Sequence, residues 1–91
     1  MNDTHIVVVT GLSGSGRSAA LKSFEDLGYT CIDNLPLSLL PAFVEYALTP
    51  GSATLSAIGI DIRERDFPRQ FPGLYGKLKE AGLAIELLFL E

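Results

Sequence analysis

An α/β fold built on a mostly parallel sheet is predicted by three observations. Short β-branched or leucine-rich runs recur along the chain, stretches of helical period separate them, and a glycine-rich loop joins the first run to the first helical stretch. Ile6-Val7-Val8-Val9 sets the pattern: an apolar run without alternation belongs to a strand covered on both faces, so His5 to Thr10 is the first strand. From Arg17 to Leu27, apolar Ala20, Leu21, Phe24 and Leu27 share one helical face while Lys22, Glu25 and Asp26 point away, and Gly28 closes the helix. Tyr29 to Ile32 is a second short strand that runs into the turn-prone Asp33-Asn34-Leu35-Pro36.

Leu37 to Leu48 is again helical, with Leu39, Leu40, Phe43 and Ala47 on one side and Pro41 tolerated in the first turn. Thr49-Pro50-Gly51-Ser52 breaks the chain, and Thr54 to Ile62 forms a third strand in two apolar pieces around Gly59, with Asp61 near its end. Phe67-Pro68 and Phe71-Pro72-Gly73 predict an irregular connection, Leu74 to Ala81 a short helix closed by Gly82, and Leu83 to Leu90 a fourth strand. A domain that ends on Leu87-Leu88-Phe89-Leu90-Glu91 exposes apolar sheet surface, which predicts either a fragment truncated after the fourth strand or a partner that covers it.

The loop carries the chemistry. Gly11-Leu12-Ser13-Gly14-Ser15-Gly16-Arg17-Ser18 has the spacing of a phosphate loop, with Arg17 where the pattern has lysine. Glycines let successive backbone N–H groups converge on phosphate oxygens, and the helix that starts there adds its positive dipole end. Ser18 would place a hydroxyl on Mg²⁺ held between phosphates. A guanidinium is planar and wider than an ammonium, so Arg17 keeps the charge with altered geometry: the backbone nest predicts binding, and the side chain predicts slowed hydrolysis.

Magnesium bound to a nucleotide also needs a carboxylate close to the loop serine, typically at the end of a buried strand beside the first. In the phosphate-loop kinase arrangement the third strand neighbours the first and the fourth lies on the other side, so Asp61 is the expected acid and Glu91 the competitor. Arg17 and Asp61 are the expected catalytic pair, Ser18 and Asp61 the expected metal ligands. Asp33 is a third acid at a strand's carboxyl edge, suited to a metal-bound water, a substrate hydroxyl or the capping of its own turn.

Composition narrows the function classes. Ninety-one residues, 47% hydrophobic and 20% charged, describe one globular unit. Its apolar runs fall far short of the roughly 20 residues that span a bilayer. The N-terminus lacks the basic region and long apolar run of a secretory signal, and the lone Cys31 suits a reducing compartment, so a cytoplasmic protein is expected. Cys31, between Thr30 and Ile32, is expected as a small buried hydrophobe. Eleven acidic against seven basic residues, net −4, oppose a general electrostatic grip on nucleic acid. Arg63, Arg65 and Arg69 are interleaved with Glu64 and Asp66 and predict a solvated charged loop.

Gly11 to Ser18, Glu25-Asp26-Leu27-Gly28, Cys31-Ile32-Asp33-Asn34-Leu35-Pro36, Leu39-Leu40-Pro41, Ile60-Asp61-Ile62-Arg63 and Leu87 to Glu91 together resemble the N-terminal domain of the RapZ/YvcJ family of bacterial nucleotide-binding proteins, also called RNase adapter proteins. The resemblance runs nearly the whole length, 1–91, and the Cys-x-Asp-Asn-Leu-Pro stretch is more specific than the loop. It implies a kinase-like phosphate-loop NTPase fold, a three-layer sandwich, with binding of ATP and GTP, Mg²⁺ as cofactor and weak hydrolysis of both nucleotides. The family's ATP loop maps onto Gly11, Leu12, Ser13, Gly14, Ser15, Gly16, Arg17 and Ser18, and its GTP-contact stretch onto Asp61, Ile62, Arg63 and Glu64. Glu64 stands where the family frequently has asparagine. RNA and RNase contacts are implied only for the C-terminal domain of a full-length parent, which also leaves oligomers open. Two other readings stand beside a weakly hydrolysing regulatory module: a degenerate interaction domain without turnover, and a small-molecule kinase.

Overall fold

The structure is a computed structural model, and it describes residues 4–11, 14–49, 55–63 and 67–90, with the side chains at 14 and 15 excepted. In chain order the elements are β1 (His5–Gly11), α1 (Gly14–Asp26), β2 (Thr30–Ile32), a 3-10 turn (Leu37–Leu39), α2 (Leu40–Ala47), β3 (Leu55–Gly59), α3 (Phe67–Glu80) and β4 (Ala84–Leu90). The strands form one parallel sheet in the order β2-β3-β1-β4. β3 therefore lies beside β1 and β4 on its far side, the arrangement expected from the sequence.

Both faces of β1 are covered, which is why its sequence does not alternate. Ile6 and Val8 pack with Ile58, Ile85, Leu40, Val44, Phe67 and Phe71 on the face of α2 and α3. Val7 and Val9 pack with Ala57 and Leu21 on the face of α1. Full burial of each such Val or Ile side chain contributes about 1.5–3 kcal/mol relative to exposure. The central strands thus anchor a layer of helix on either side. The exposed apolar surface expected of the last strand is present: Leu87, Leu88 and Phe89 of β4 are each more than a third exposed.

Three local expectations are corrected. α1 starts at Gly14 and stops at Asp26, before Gly28 adopts a left-handed φ of 94°, so Leu27 falls in the turn and is 72% exposed instead of sharing the buried face. The stretch from Leu37 opens as a 3-10 turn, and the tighter winding swings Leu39 out to solvent while Leu37, Leu40, Val44 and Ala47 are buried. β3 ends at Gly59 instead of Ile62, which leaves Asp61 two residues past the strand.

The largest departure is α3. The segment expected to be irregular is helical from Phe67, with Pro68 near the start and Pro72 inside. Proline opposes a helix interior because it lacks an N–H donor and its ring crowds the preceding turn. Tertiary packing overrides that preference here: Phe67 and Phe71, four residues apart, are both buried and stack with ring centroids 4.9 Å apart, and Tyr75 continues the row at 5.5 Å from Phe71.

Candidate nucleotide site

Parallel register brings the carboxyl ends of all four strands to one edge. Val9 pairs with Gly59, Ile32 with Ile58 and Gly11 with Leu90, so the loop after β1, the turn after β2 and the segment after β3 open side by side. Ligands of open α/β sheets bind at this edge. The first loop glycine also has a packing reason: a Cβ on Gly11 would overlap the Leu90 carbonyl oxygen of the neighbouring strand.

Arg17 and Ser18 lie on the second turn of α1 and face the residue that follows β2. Arg17 Nε donates to Asp33 Oδ1 at 2.9 Å, and Ser18 Oγ approaches Asp33 Oδ2 at 3.5 Å. The Arg17 side chain is only 12% exposed and that of Asp33 45%. Beneath them runs Gly59 of β3, where an added Cβ would lie 2.6 Å from Asp33 Oδ1, 2.9 Å from Leu21 Cδ1 and 3.3 Å from Arg17 Cδ. The turn is shaped by Asn34, whose φ of 60° lies in the left-handed region, and by the Leu35 N–H, which donates to the Gly59 carbonyl at 2.9 Å.

Asp61 has a different partner. Its Oδ1 accepts from the backbone N–H of Arg63 at 2.8 Å and from Arg63 Nε at 3.1 Å, and its Oδ2 accepts from Arg63 Nη2 at 2.9 Å. The guanidinium hydrogen bonds, then the backbone one, hold the Asp61 carboxyl down to about 2, with a smaller lowering from the positive charge of Arg17. The same contact raises the pKa of Arg63. A cleft of about 500 Å³ opens beside Asn34, Pro36, Asp61 and Arg63.

Leu12, Ser13, Glu64 and Glu91 lie outside the described residues, and Gly14 to Ser18 open α1. Cys31 is half-buried instead of fully buried. Its thiol donates to the Leu21 carbonyl at 3.2 Å, and burial, aided by the negative charge of Glu25, pushes its pKa up, the direction away from a reactive thiolate. Among the described residues no group of three or more His, Cys, Asp and Glu side chains has metal-binding spacing, and no helix is long and apolar enough to cross a membrane.

Sequence reasoning weighed Asp33 as a metal, substrate or capping residue and missed its pairing with Arg17 and Ser18. The available signal was register, since a residue just past β2 must arrive beside the end of β3 and the start of α1.

The model of the RapZ-like N-terminal domain matches residues 4–91. The chain belongs to the RapZ-like N-terminal domain family. It is 51% identical over 89 residues to a nucleotide-binding protein of Syntrophobacter fumaroxidans, covering 96% of this chain and 31% of that protein. It is 47% identical over 92 residues to a nucleotide-binding protein of Bacillus cereus strain B4264, covering 99% of this chain and 31% of that protein. A nucleotide-binding protein of Bacillus thuringiensis strain Al Hakam is 46% identical over the same length. This RapZ-like chain therefore spans about a third of the length of the curated relatives it matches.

Proposed function

We propose that this RapZ-like domain binds magnesium nucleotide, ATP or GTP, at Gly11 to Ser18, hydrolyses it weakly, and serves as the regulatory module of a longer cytoplasmic protein. The observation that carries the reading is the meeting of Arg17, Ser18 and Asp33 where the β1 loop enters α1. Backbone N–H groups of the loop and the N-terminal turn of α1 would hold the phosphates, and Arg17 would supply charge to the outer ones. Ser18, Asp33 and Asp61 offer hydroxyl and carboxylate oxygens, the hard donors that Mg²⁺ prefers. Two carboxylates suffice, because Mg²⁺ in such sites is completed by phosphates and water. The metal would neutralise charge that develops on the transferred phosphoryl group. Arg63 presents an 84% exposed guanidinium beside the cleft, oriented by Asp61, and Asp61 to Glu64 would contact the base or sugar of GTP.

The names of its relatives support nucleotide as the ligand class. RNA and RNase contacts, and any oligomer, belong in this reading to the remainder of a full-length parent.

The test is calorimetric titration with ATP and GTP, with and without magnesium, with phosphate release measured alongside. Saturable binding that strengthens with magnesium supports the reading, and its absence for both nucleotides contradicts it. Asp61→Asn should weaken the magnesium dependence, and Glu91→Gln should change it little. A loss confined to Glu91→Gln would remove Asp61 from the metal site. Binding without measurable phosphate release would favour the non-hydrolysing interaction domain. Transfer of the phosphoryl group to a small acceptor in place of water would favour a kinase.

A further inference from the structure

One donor of the loop cation is already engaged by an anion. Arg17 is mostly buried, and its Nε is spent on the Asp33 carboxylate, whose other oxygen lies toward the Ser18 hydroxyl. A carboxylate and a phosphate make the same demand on a guanidinium, two acceptor oxygens against its donor fork. Asp33 is therefore placed as an anion on the residue that a nucleotide's phosphate would take.

The pair also depends on the strand below. An added Cβ at residue 59 would lie 2.6 Å from Asp33 Oδ1, 2.9 Å from Leu21 Cδ1 and 3.3 Å from Arg17 Cδ, so the pair rests directly on the backbone of β3 and a side chain at Gly59 would push on the Asp33 carboxylate and on Leu21. Gly59 pairs with Val9 of β1 and accepts the Leu35 N–H, so its backbone cannot retreat without loosening both contacts.

We propose that Asp33 is an internal competitor for the phosphate anion: it holds Arg17 until a polyphosphate displaces it, and Gly59 is the positioning residue whose missing side chain lets the pair form. This rests on the nucleotide-binding reading above and adds its regulation. Displacement would leave the Asp33 carboxylate beside Ser18, where the two could hold magnesium, and that would offset the cost of breaking the pair. Affinity for polyphosphate without metal is held down by Asp33, and affinity with metal is not.

The probe is inorganic tripolyphosphate, free of magnesium, titrated into the whole 91-residue chain. Asp33→Asn keeps the size of the side chain and removes its charge, and it should tighten binding roughly two- to five-fold, the range of a partly exposed ion pair. In an Arg17→Ala background the same substitution should have no effect, because there is no cation to release. Gly59→Ala, checked for an unchanged fold by circular dichroism, should shift affinity in the same direction as Asp33→Asn. A damaged fold only weakens binding, so a gain separates competition from a structural role.

Unchanged or weaker binding by Asp33→Asn overturns the proposal. An equal gain in both backgrounds also overturns it, since that would be long-range charge acting without Arg17. Weaker binding by a well-folded Gly59→Ala would remove Gly59 from the account. The parent reading fails separately, if the unaltered chain binds neither Mg-ATP nor Mg-GTP.

Discussion

Arg17 Nε donates to Asp33 Oδ1 across 2.9 Å, which ties the cation of the phosphate-loop sequence to the first residue after β2. The two are sixteen positions apart in the chain. The sheet order closes that gap: β2 lies next to β3, and β3 next to β1, whose loop feeds α1. The paired Arg17 side chain is only 12% exposed.

Restoring the pattern's lysine tests what the guanidinium does. Arg17→Lys should raise hydrolysis in a full-length parent more than it raises nucleotide affinity, because the backbone supplies much of the ground-state grip while the side chain acts on developing charge. Single-turnover rates and dissociation constants measured side by side check this. Equal rates at saturating nucleotide would show that Arg17 is not the limitation.

The Asp61 carboxyl should titrate with a midpoint of about 2 in the folded chain, against an ordinary value of 3.8. A folded pKa below the unfolded one gives stability that is complete above about pH 4. It is lost as pH falls through 2, so the contribution of this pair should disappear between those values. Carbon-detected NMR titration of Asp61 measures it, and Arg63→Ala should return the midpoint toward 3.8. An unmoved midpoint in that variant would remove Arg63 as the cause.

α3 holds a conflict between local preference and packing that substitutions can separate. Phe71→Ala should cost about 3–5 kcal/mol, the range for deleting a buried aromatic ring. Pro72→Ala should stabilise by about 1–3 kcal/mol, since it removes an interior proline from an exposed helix position. Urea denaturation of both variants gives the two signs, and a destabilising Pro72→Ala would show that the proline shapes a contact of its own.

Thr10 and Ser56 are fully buried, and neither hydroxyl has a hydrogen-bond partner among the described residues. An unsatisfied buried hydroxyl costs about 1–3 kcal/mol. Thr10→Val and Ser56→Ala should therefore leave the melting temperature unchanged or raise it. If Thr10→Val lowers nucleotide affinity while raising stability, the hydroxyl at the end of β1 is kept for the ligand.

The sheet was legible because its signal is local. Ile6 to Val9 reads as a doubly covered strand whatever surrounds it, and the glycine spacing marks where that strand hands over to α1. α3 was half hidden because Pro68 and Pro72 speak for a loop, while the Phe67, Phe71 and Tyr75 row gains its weight only against the β1 and β4 side chains. In the site, Arg17 and Ser18 were visible from their spacing. The role of Asp33 was not, because nothing in the chain near Arg17 points to a residue that only strand order brings within hydrogen-bonding distance. The pairing of Asp61 with Arg63 is two residues long and still escaped, since charged residues at that spacing usually point into solvent independently.

The central claim is that the segment from Gly11 to Ser18 receives the phosphates of a magnesium nucleotide. Amide resonances of Gly16, Arg17 and Ser18, followed by NMR during titration with Mg-ATP and Mg-GTP, test it most directly, with thermal denaturation on the same samples. The account predicts saturable shifts concentrated at those amides, smaller ones at Asp33 and Asp61, and stabilisation of about 2.7 kcal/mol at a hundred times the dissociation constant. Saturating nucleotide that leaves both the loop amides and the melting temperature unchanged would contradict it.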